Sequence, residues 1–338
     1  MHIILKIMSI TTKEIARICN VSRGTVDRAL NGRSGINSET RKRVLEIVRK
    51  YNYQPHLIAS TLSRGKSMSI GVVLFDLKNY YFAQLSNIIS LSARNEGYFT
   101  YIAVTEKNMD AERHILSNLA SRRVDGLILL PIIQGSEYVK YLKSLEIPLI
   151  TVGNHLPGIP GISINDVKAA YDSTAYIAGA GYKRIVFICP PLRKKGAAGG
   201  RMNIKTQDLR SRGFIRYMKQ HPDLRYDIFT RKDYTDSALD LVQHGNIKTA
   251  FLCSSDVYAL ELIKCFRLKG IHVPQDAGIM GFDNLDILTY INPHLTTVST
   301  SLEIVGKESV NMLIRLMSGG SIPQNTYAPH SICSGETL

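Results

Sequence analysis

Arginine side chains near the start of this chain have the type and placement that recognition of DNA requires. Arg23 and Arg28 lie on the outward side of a predicted short helix. A guanidinium group can donate two parallel hydrogen bonds to the edge of a guanine base, and a helix of this kind presents such groups in the major groove. The candidate DNA-contacting positions in this part of the chain are Thr11, Ser22, Arg23, Gly24, Thr25, Arg28 and Asn31.

Three short helices are predicted over residues 9–53, and they would hold those side chains. Thr11 begins the first helix and Glu14 completes a capping box, whereas Ser22 and Asn37 cap the second and third helices. A tight turn at Asn20 separates the first two helices, which matches a helix-turn-helix. A packed three-helix unit with no role in DNA binding is the alternative interpretation.

The distribution of charge favours nucleic acid as the partner. The chain of 338 residues has a formal net charge of +14. Residues 1–68 hold 13 Lys and Arg against 4 Asp and Glu, whereas residues 69–338 hold 29 against 24. A strongly basic first part followed by a nearly balanced second part is typical of a nucleic-acid-binding protein. The alternative is a basic surface that is simply solvated.

Beyond residue 68, predicted strands and helices alternate, which is typical of parallel sheets covered by helices. The strand-like segments are 70–75, 98–104, 126–130, 149–152, 184–189, 226–229, 250–253 and 278–281. We therefore predict an all-α helix-turn-helix head followed by an α/β body of two doubly wound parallel-sheet halves, at about 69–165 and 167–295. Such a fold binds ligands beyond the carboxyl ends of its strands.

The sequence supports neither catalysis nor metal binding nor membrane insertion. The first body strand is not followed by a GxGxxG turn, and the glycine-rich segment 194–201 lacks the Gly-Lys-Ser/Thr of a P-loop. No GxSxG or HExxH motif occurs, and the five cysteines form no CxxC pair. Apolar runs are far shorter than a membrane span, and no secretion signal is recognisable. We expect a cytoplasmic protein that is not an enzyme and uses no cofactor or metal.

Motifs spread along the whole chain identify the family that it resembles. They are VSRGTVDRALNG, ETRKRV, YQPHLIASTL, RRVDGLILLP, GYKRIVFI and GFDN, in that order. Together they resemble the LacI/GalR (lactose-repressor) family of transcriptional regulators over about residues 9–333. The resemblance implies a body of the periplasmic-binding-protein type and a homodimer that represses transcription from double-stranded operator DNA. It also implies control by a small polar effector, with a sugar or sugar derivative as the expected class.

A solute-binding protein for transport is the alternative function, because its body would have a similar fold. That alternative would require a signal peptide and no DNA-binding head, and the sequence shows the opposite pattern. An enzyme on an α/β scaffold is a third possibility, which the missing motifs disfavour. The last residues contain none of the leucine heptads that tetramers of the family use, so a dimer is expected.

The resemblance also implies a hinge and a division of the body. Residues 54–68 would form a hinge helix and linker, with Leu62 entering the minor groove and Ala59 packing beside it. Without the resemblance, this segment would be interpreted as a plain linker. The effector-binding and dimerisation domain, 69–338, would divide into subdomains of about 69–165 plus 297–322, and 167–295 plus 323–338.

The effector-binding positions that the resemblance implies are Tyr81, Phe82, Arg210, Ser255 and Asp283. The aromatic pair would stack on a small polar ring, while Arg210 and Asp283 would satisfy its hydroxyl, carbonyl or amine groups. The alternatives are core packing for the aromatic pair and a surface or capping role for Arg210 and Asp283. Ser255 replaces the asparagine of many sugar-binding members, which argues against a common hexose.

Three further departures from the family pattern bear on specificity. Asn20 stands where the turn usually has glycine, and Asp27 stands where the family usually has serine. An acid at that position could accept a hydrogen bond from cytosine or repel phosphate. The segment 190–205 is longer and more basic than the usual loop. It is interpreted either as a mobile solvated loop or as a positive rim that selects an anionic effector.

Overall fold

The computed structural model describes residues 10–53, 65–190 and 205–338, with only the backbone of Lys205. Contacts between residues divide the chain into two compact units, with the boundary between Ser67 and Met68. The first unit is called the head and the second unit is called the body. Ala59 and Leu62, and most of the basic segment 190–205, lie outside the described residues.

The described part of the head consists of three α-helices around a small apolar core. They are α1 (Thr12–Ile18), α2 (Arg23–Leu30) and α3 (Ser38–Lys50), which confirms the three predicted helices. The buried core residues are Ile15, Ala16, Cys19, Val26, Ala29 and Val44. In α1 and α2 these residues recur at three- and four-residue intervals, so that one side of each helix faces its neighbours.

Local side-chain contacts begin each helix of the head. The Glu14 N–H donates to the Thr11 hydroxyl at 3.3 Å, and the Thr11 N–H donates to the Glu14 carboxylate at 2.7 Å. Ser22 and Asn37 also accept hydrogen bonds from the first turns of α2 and α3. In the turn, Asn20 has a φ of 50°, a left-handed conformation that asparagine adopts more easily than most residues. Asparagine can therefore replace the usual glycine there.

The first sheet of the body is parallel throughout its described pairs. Its strands are β1 (Ser69–Leu74), β2 (Phe99–Val104), β3 (Gly126–Leu129), β4 (Leu149–Val152), β5 (Gly161–Ile164) and β11 (Asn325–Ala328). Their spatial order is β11-β5-β4-β3-β1-β2. The connecting helices are α4 (Tyr80–Asn95), α5 (Met109–Ser121) and α6 (Ser136–Ser144).

The second sheet has the same design with one antiparallel edge. Its strands are β6 (Arg184–Ile188), β7 (Arg225–Phe229), β8 (Thr249–Cys253), β9 (Ala277–Asp283), β10 (Thr296–Ser299) and β12 (Ser331–Cys333). Their order is β12-β10-β9-β8-β6-β7, and only β12 runs antiparallel to its neighbour. The remaining helices are α7 (Asp166–Gly179), α8 (Lys205–Gln220), α9 (Tyr234–Gln243), α10 (Asp256–Leu268) and α11 (Leu302–Met317).

Strand pairing corrects the expected division of the body into subdomains. The resemblance gives 297–322 to the first subdomain, but β10 pairs with β9 in the second sheet. It gives 323–338 to the second subdomain, but β11 pairs with β5 in the first sheet. These strands have four residues each, too few for hydrophobic periodicity to indicate which sheet they join. Helix α11 packs against α4 and β3, and β12 joins the second sheet, as expected.

The carboxyl ends of strands from both sheets meet at one cavity. Phe75 follows β1, Ser254 follows β8 and Thr300 follows β10, and all three line this cavity. The chain passes between the two sheets at 164–166, 299–302 and 328–331. A parallel α/β fold leaves its ligand crevice at this place, because the helices cover the faces of the sheets and leave the strand ends open.

Candidate functional site

Arg210, on α8, is a buried residue that lines the body's cavity. Its Nε donates to Asp166 Oδ1 at 2.9 Å, and its Nη1 donates to the Ser254 carbonyl at 2.7 Å and to Asp283 Oδ1 at 3.4 Å. The guanidinium carbon lies 3.7 Å from the centre of the Phe282 ring. Arg210 is 6% exposed, so the surface role considered from the sequence is wrong. These contacts hold the side chain in one orientation.

A glycine allows α8 to approach α7 closely enough for this contact. A Cβ atom placed at Gly213 would lie 2.1 Å from the Val167 carbonyl oxygen and 3.0 Å from the Ala170 Cβ. Gly213 follows Arg210 by about one helical turn, and Val167 follows Asp166 at the start of α7. The close approach of the two helices therefore brings the guanidinium of Arg210 to the carboxylate of Asp166.

The two carboxylates beside Arg210 are in unusual environments. Burial raises the pKa of the Asp283 carboxyl to about 7; the Arg210 guanidinium lowers this pKa and the Asp256 carboxylate raises it. Burial also raises the pKa of Asp166, against the opposing effect of Arg210. Asp283 has a φ of 117° at the end of β9, a conformation that side chains other than glycine rarely adopt. Such strain is concentrated at ligand-binding and switching sites.

Ser255 and Asp256 are neighbours in sequence but have different roles. The Ser255 hydroxyl donates to Asp283 Oδ2 at 2.9 Å and lines the cavity. Asp256 instead accepts the Leu285 N–H at 2.9 Å and the Thr297 hydroxyl. Asp256 therefore ties α10 to β10 and to the segment after β9, and Ser255 is the member of the pair that lines the cavity.

An aromatic wall lies across the cavity from this polar network. Asn79 caps α4 by accepting the Tyr81 N–H at 3.0 Å. The Tyr81 and Phe82 rings pack edge to face, 5.3 Å apart, and Phe75 lies 5.0 Å from Phe82. Tyr81 and Phe82 both pack against the apolar core and line the cavity. Core packing and ligand contact are therefore compatible at these two positions.

The cavity brings together all five effector-binding candidates. It has a volume of about 210 Å³ and is lined by Tyr81, Phe82, Arg210, Ser255 and Asp283. Further polar residues line it that sequence reasoning missed, namely Asn79, Lys107, Asn154, Ser163, Asp166, Thr206, Gln207, Ser254, Tyr258 and Thr300. The Thr300 hydroxyl is buried and has no hydrogen-bond partner among the described residues. Such a group is available to a ligand, although no motif marks it in the sequence.

The head presents a second candidate site. Arg23, Gly24 and Arg28 are exposed on α2, and Thr25 and Asn31 are partly exposed. Two further DNA-binding candidates, Thr11 and Ser22, are exposed and also cap helices. The outward orientation predicted for the arginines is confirmed, and their contact with DNA stays a prediction.

Comparison with known proteins shows which domains the chain resembles. Residues 11–56 match the model of the bacterial regulatory proteins, lacI family, and residues 174–338 match that of the periplasmic binding protein-like domain. Catabolite control protein A of Priestia megaterium is 28% identical over 333 residues, which cover 96% of this chain and 98% of that protein.

Solved structures share the fold along nearly the whole chain. A Lac repressor dimer bound to operator and the anti-inducer ONPF has a TM-score of 0.83 and 21% identity, and the match covers 97% of this chain and 99% of that one. A complex of the transcriptional regulator CelR with cellobiose has a TM-score of 0.66 and 19% identity, with coverage of 97% and 100%.

The chain is thus a DNA-binding transcriptional regulator, and its head matches the lacI family. Its relatives are regulators, so the enzyme and transport alternatives considered from the sequence are set aside. None of the helices in the described part of the chain is both long and apolar enough to cross a membrane.

Proposed function

We propose that this regulator is a repressor whose affinity for operator DNA changes when a small polar effector binds in the body's cavity. The observation that carries the proposal is the buried network of Arg210, Asp166 and Asp283, which faces Tyr81 and Phe82 across one cavity. Both subdomains contribute residues, so a bound ligand favours one arrangement of the two. A ligand shifts such an equilibrium only through its different affinities for the two arrangements.

The charges of the cavity favour an uncharged effector rich in hydroxyl groups. Two buried carboxylates surround one buried guanidinium, and Arg210 already donates hydrogen bonds to both of them. An anion would have to compete with Asp166 and Asp283 for that guanidinium. Hydroxyl groups can donate to the carboxylates while a ring stacks on the aromatic wall. We infer a neutral sugar or sugar derivative, and the relative bound to cellobiose supports this class.

The size of the cavity favours a single ring. Its volume of about 210 Å³ is smaller than the roughly 300–1,000 Å³ of pockets that hold drug-sized ligands. The alternative is an anionic effector selected by the basic segment 190–205, most of which lies outside the described residues. A panel of ligands can separate the two.

The chemical class of the effector is tested by measuring binding to the full chain of a panel of neutral monosaccharides, their phosphates and nucleobases. Thermal shift and calorimetry should detect binding of a neutral member to the wild type and its loss in Asp283→Ala. Asp240→Ala removes an exposed carboxylate of the same subdomain and should bind normally. Binding of phosphorylated sugars alone, abolished by neutralising Arg193, Lys194 and Lys195, would instead establish the anionic effector.

The proposed contacts with DNA divide between the head and the hinge. Helix α2 would enter the major groove, with Arg23 and Arg28 reading base edges. Leu62, with Ala59 packed beside it, would enter the minor groove and kink the duplex. Because its target is DNA, we propose that the protein acts in the cytoplasm.

Two variants separate effector response from DNA deformation. Asp283→Ala should abolish the response to effector while operator affinity without effector stays within about threefold, roughly 0.7 kcal/mol. Leu62→Ala should weaken operator binding and bending while the DNA-free protein keeps its effector affinity. Titrations with operator, with effector and with both measure these quantities. A full response in Asp283→Ala would refute the proposed site, and unchanged bending in Leu62→Ala would make the hinge a plain linker.

An open edge of the first sheet supports a homodimer. Strand β2 is at this edge, and its exposed side chains include Phe99, Tyr101, Ile102 and Val104. An apolar edge strand left open invites pairing and aggregation, so we propose that a second copy of the chain covers it. Sedimentation should show a dimer that Ile102→Asp dissociates. Tyr327→Asp, on the opposite edge strand β11, is the control. A dimer that survives Ile102→Asp would place the interface elsewhere.

A further inference from the structure

The carboxylate of Asp27, on α2, is engaged within the head. Asn31 Nδ2 donates to Asp27 Oδ1 at 2.8 Å and to the Asp27 carbonyl at 3.0 Å. Arg33 Nη1 donates to Asp27 Oδ2 at 3.2 Å. Both carboxylate oxygens therefore have partners from the segment that follows α2. Each oxygen can still accept a second hydrogen bond, but these contacts hold the carboxylate toward Asn31 and Arg33.

The same contacts hold Arg33 beside the recognition helix. The Arg33 N–H donates to the Arg28 carbonyl at 3.0 Å, and Arg41 Nη2, from α3, donates to the Arg33 carbonyl. The backbone of Arg33 is thus tied to both α2 and α3, and its side chain is tied to Asp27. That side chain is still 59% exposed. An ordered and accessible guanidinium accordingly lies next to the residues proposed to read DNA.

We propose that Arg33 is a further DNA-contacting residue and that Asp27 positions it. A guanidinium has five N–H donors, so a bond to Asp27 leaves others that can donate to a base edge. Holding the side chain before binding lowers the entropic cost of ordering it on DNA. The ion pair also offsets the repulsion between an acid on the recognition helix and the DNA backbone. The proposal rests on the proposed reading of operator DNA by α2.

Three possible roles of Asp27 predict different effects on DNA binding when its side chain is removed. If Asp27 reads a base, its removal changes sequence preference whether or not Arg33 is present. If Asp27 only repels phosphate, its removal strengthens binding to every duplex alike. If it positions Arg33, its removal lowers preference for the operator, and the effect disappears once Arg33 is gone. The ratio of affinities for specific and random duplexes separates these cases, because a uniform charge effect cancels in it.

The experiment is a double-mutant cycle on the full chain. The specific probe is a duplex selected from a randomised pool by the wild-type protein, and the second probe is a scrambled duplex of the same length. Asp27→Ala and Arg33→Ala should each lower the specific-to-random ratio about tenfold, and the double variant should lower it no further. Arg33→Lys, which keeps the charge but loses the planar donor fork, should retain part of the ratio.

Matched controls identify the source of any failure. Arg49→Ala removes an exposed arginine from α3 of the same head and should leave the ratio unchanged. Thermal unfolding of each variant shows that the head remains folded. Additive losses for Asp27 and Arg33, or a wild-type ratio in Arg33→Ala, would overturn the proposal. If Arg28→Ala also kept the wild-type ratio, the reading of DNA by α2 would fail as well, which distinguishes the two hypotheses.

Discussion

The head and the body each contain an arginine held by aspartate, in opposite environments. In the head, the side chains of Arg33 and Asp27 are 59% and 49% exposed, at an N–O distance of 3.2 Å. In the body, the side chains of Arg210 and Asp166 are 8% and 3% exposed, at an N–O distance of 2.9 Å. The same pair of functional groups is therefore solvated at one site and almost completely desolvated at the other.

This difference in exposure indicates how easily each arginine can exchange its aspartate for another hydrogen-bond partner. An exposed ion pair contributes little to stability and weakens with salt, so Arg33 can redistribute its donors toward DNA at low cost. A buried pair is costly to break, because each charge left alone remains desolvated. We therefore expect Arg210 to keep its protein partners when a ligand binds. The predictions below test this contrast, from the largest expected effect to the smallest.

The largest effect should come from removing the buried guanidinium. Arg210→Met would leave Asp166 and Asp283 buried without their cation, which should lower the free energy of unfolding of the body by about 3–5 kcal/mol. Denaturant titration measures this change. Arg231→Ala is the control, because Arg231 pairs with Asp233 at the surface of the same subdomain. If both variants lost a similar free energy of unfolding, the proposed difference between buried and exposed ion pairs would be wrong.

A smaller loss is expected when α8 is displaced from α7. Gly213→Ala would place a methyl group 2.1 Å from the Val167 carbonyl, which should destabilise the body by about 1–3 kcal/mol and weaken effector binding. Gly179→Ala, in an open position at the end of α7, should leave both unchanged or improve stability. Thermal unfolding and calorimetry measure the two quantities. Normal effector binding by Gly213→Ala would show that the helix contact does not position Arg210.

In the head, where Arg28 is exposed, Arg28→Ala should lower affinity for DNA and leave the free energy of unfolding unchanged. Loss of a base-reading arginine costs about 1–3 kcal/mol on the operator and relaxes preference at one base position. Binding to specific and random duplexes at several salt concentrations measures this effect. An equal loss on both duplexes would show that Arg28 contacts only the DNA backbone.

The smallest effect, expressed per pH unit, is a pH dependence that arises in the cavity. The pKa of Asp283 is raised to about 7 in the folded protein from an ordinary value of about 3.9. Between these values the folded state binds a proton that the unfolded state lacks. Asp283 therefore contributes stability at low pH that is lost as the pH rises through about 7, by at most about 1.4 kcal/mol per pH unit.

Asp283→Asn should remove that contribution. The free energy of unfolding of the body should then depend less steeply on pH between about 5 and 7 than in the wild type. Denaturant titrations at several pH values measure the slope. An unchanged slope would show that another group binds the proton, and the exposed carboxylate variant Asp240→Ala serves as the control.

How far each feature could be predicted depends on how local its cause is. The helices of the head begin with caps formed by neighbours in sequence, such as Thr11 with Glu14, so the predicted helices are confirmed. The body strands that contain apolar runs, such as β1, β3 and β4, could be predicted from those runs. Strands β5, β10, β11 and β12 are no longer than β3 and β4 but lack a continuous apolar run, so the sequence does not indicate them and pairing with distant strands defines them.

The same reason limits prediction of the cavity. Family motifs indicated Arg210, Ser255 and Asp283, and the structure brings all three to one cavity. No motif indicated that Asp166 pairs with Arg210, because their contact needs two helices to pack through Gly213.

The sequence by itself determined the class of this protein, through local caps, exposed basic side chains and ordered motifs. Only the tertiary structure decided which subdomain holds β10 and β11, that Thr300 faces the cavity, and that Asp27 pairs with Arg33. Sequence patterns report which surfaces are apolar and where helices begin. The partner of a short strand or a charged side chain depends on residues far away in the chain, whose positions the whole fold must supply.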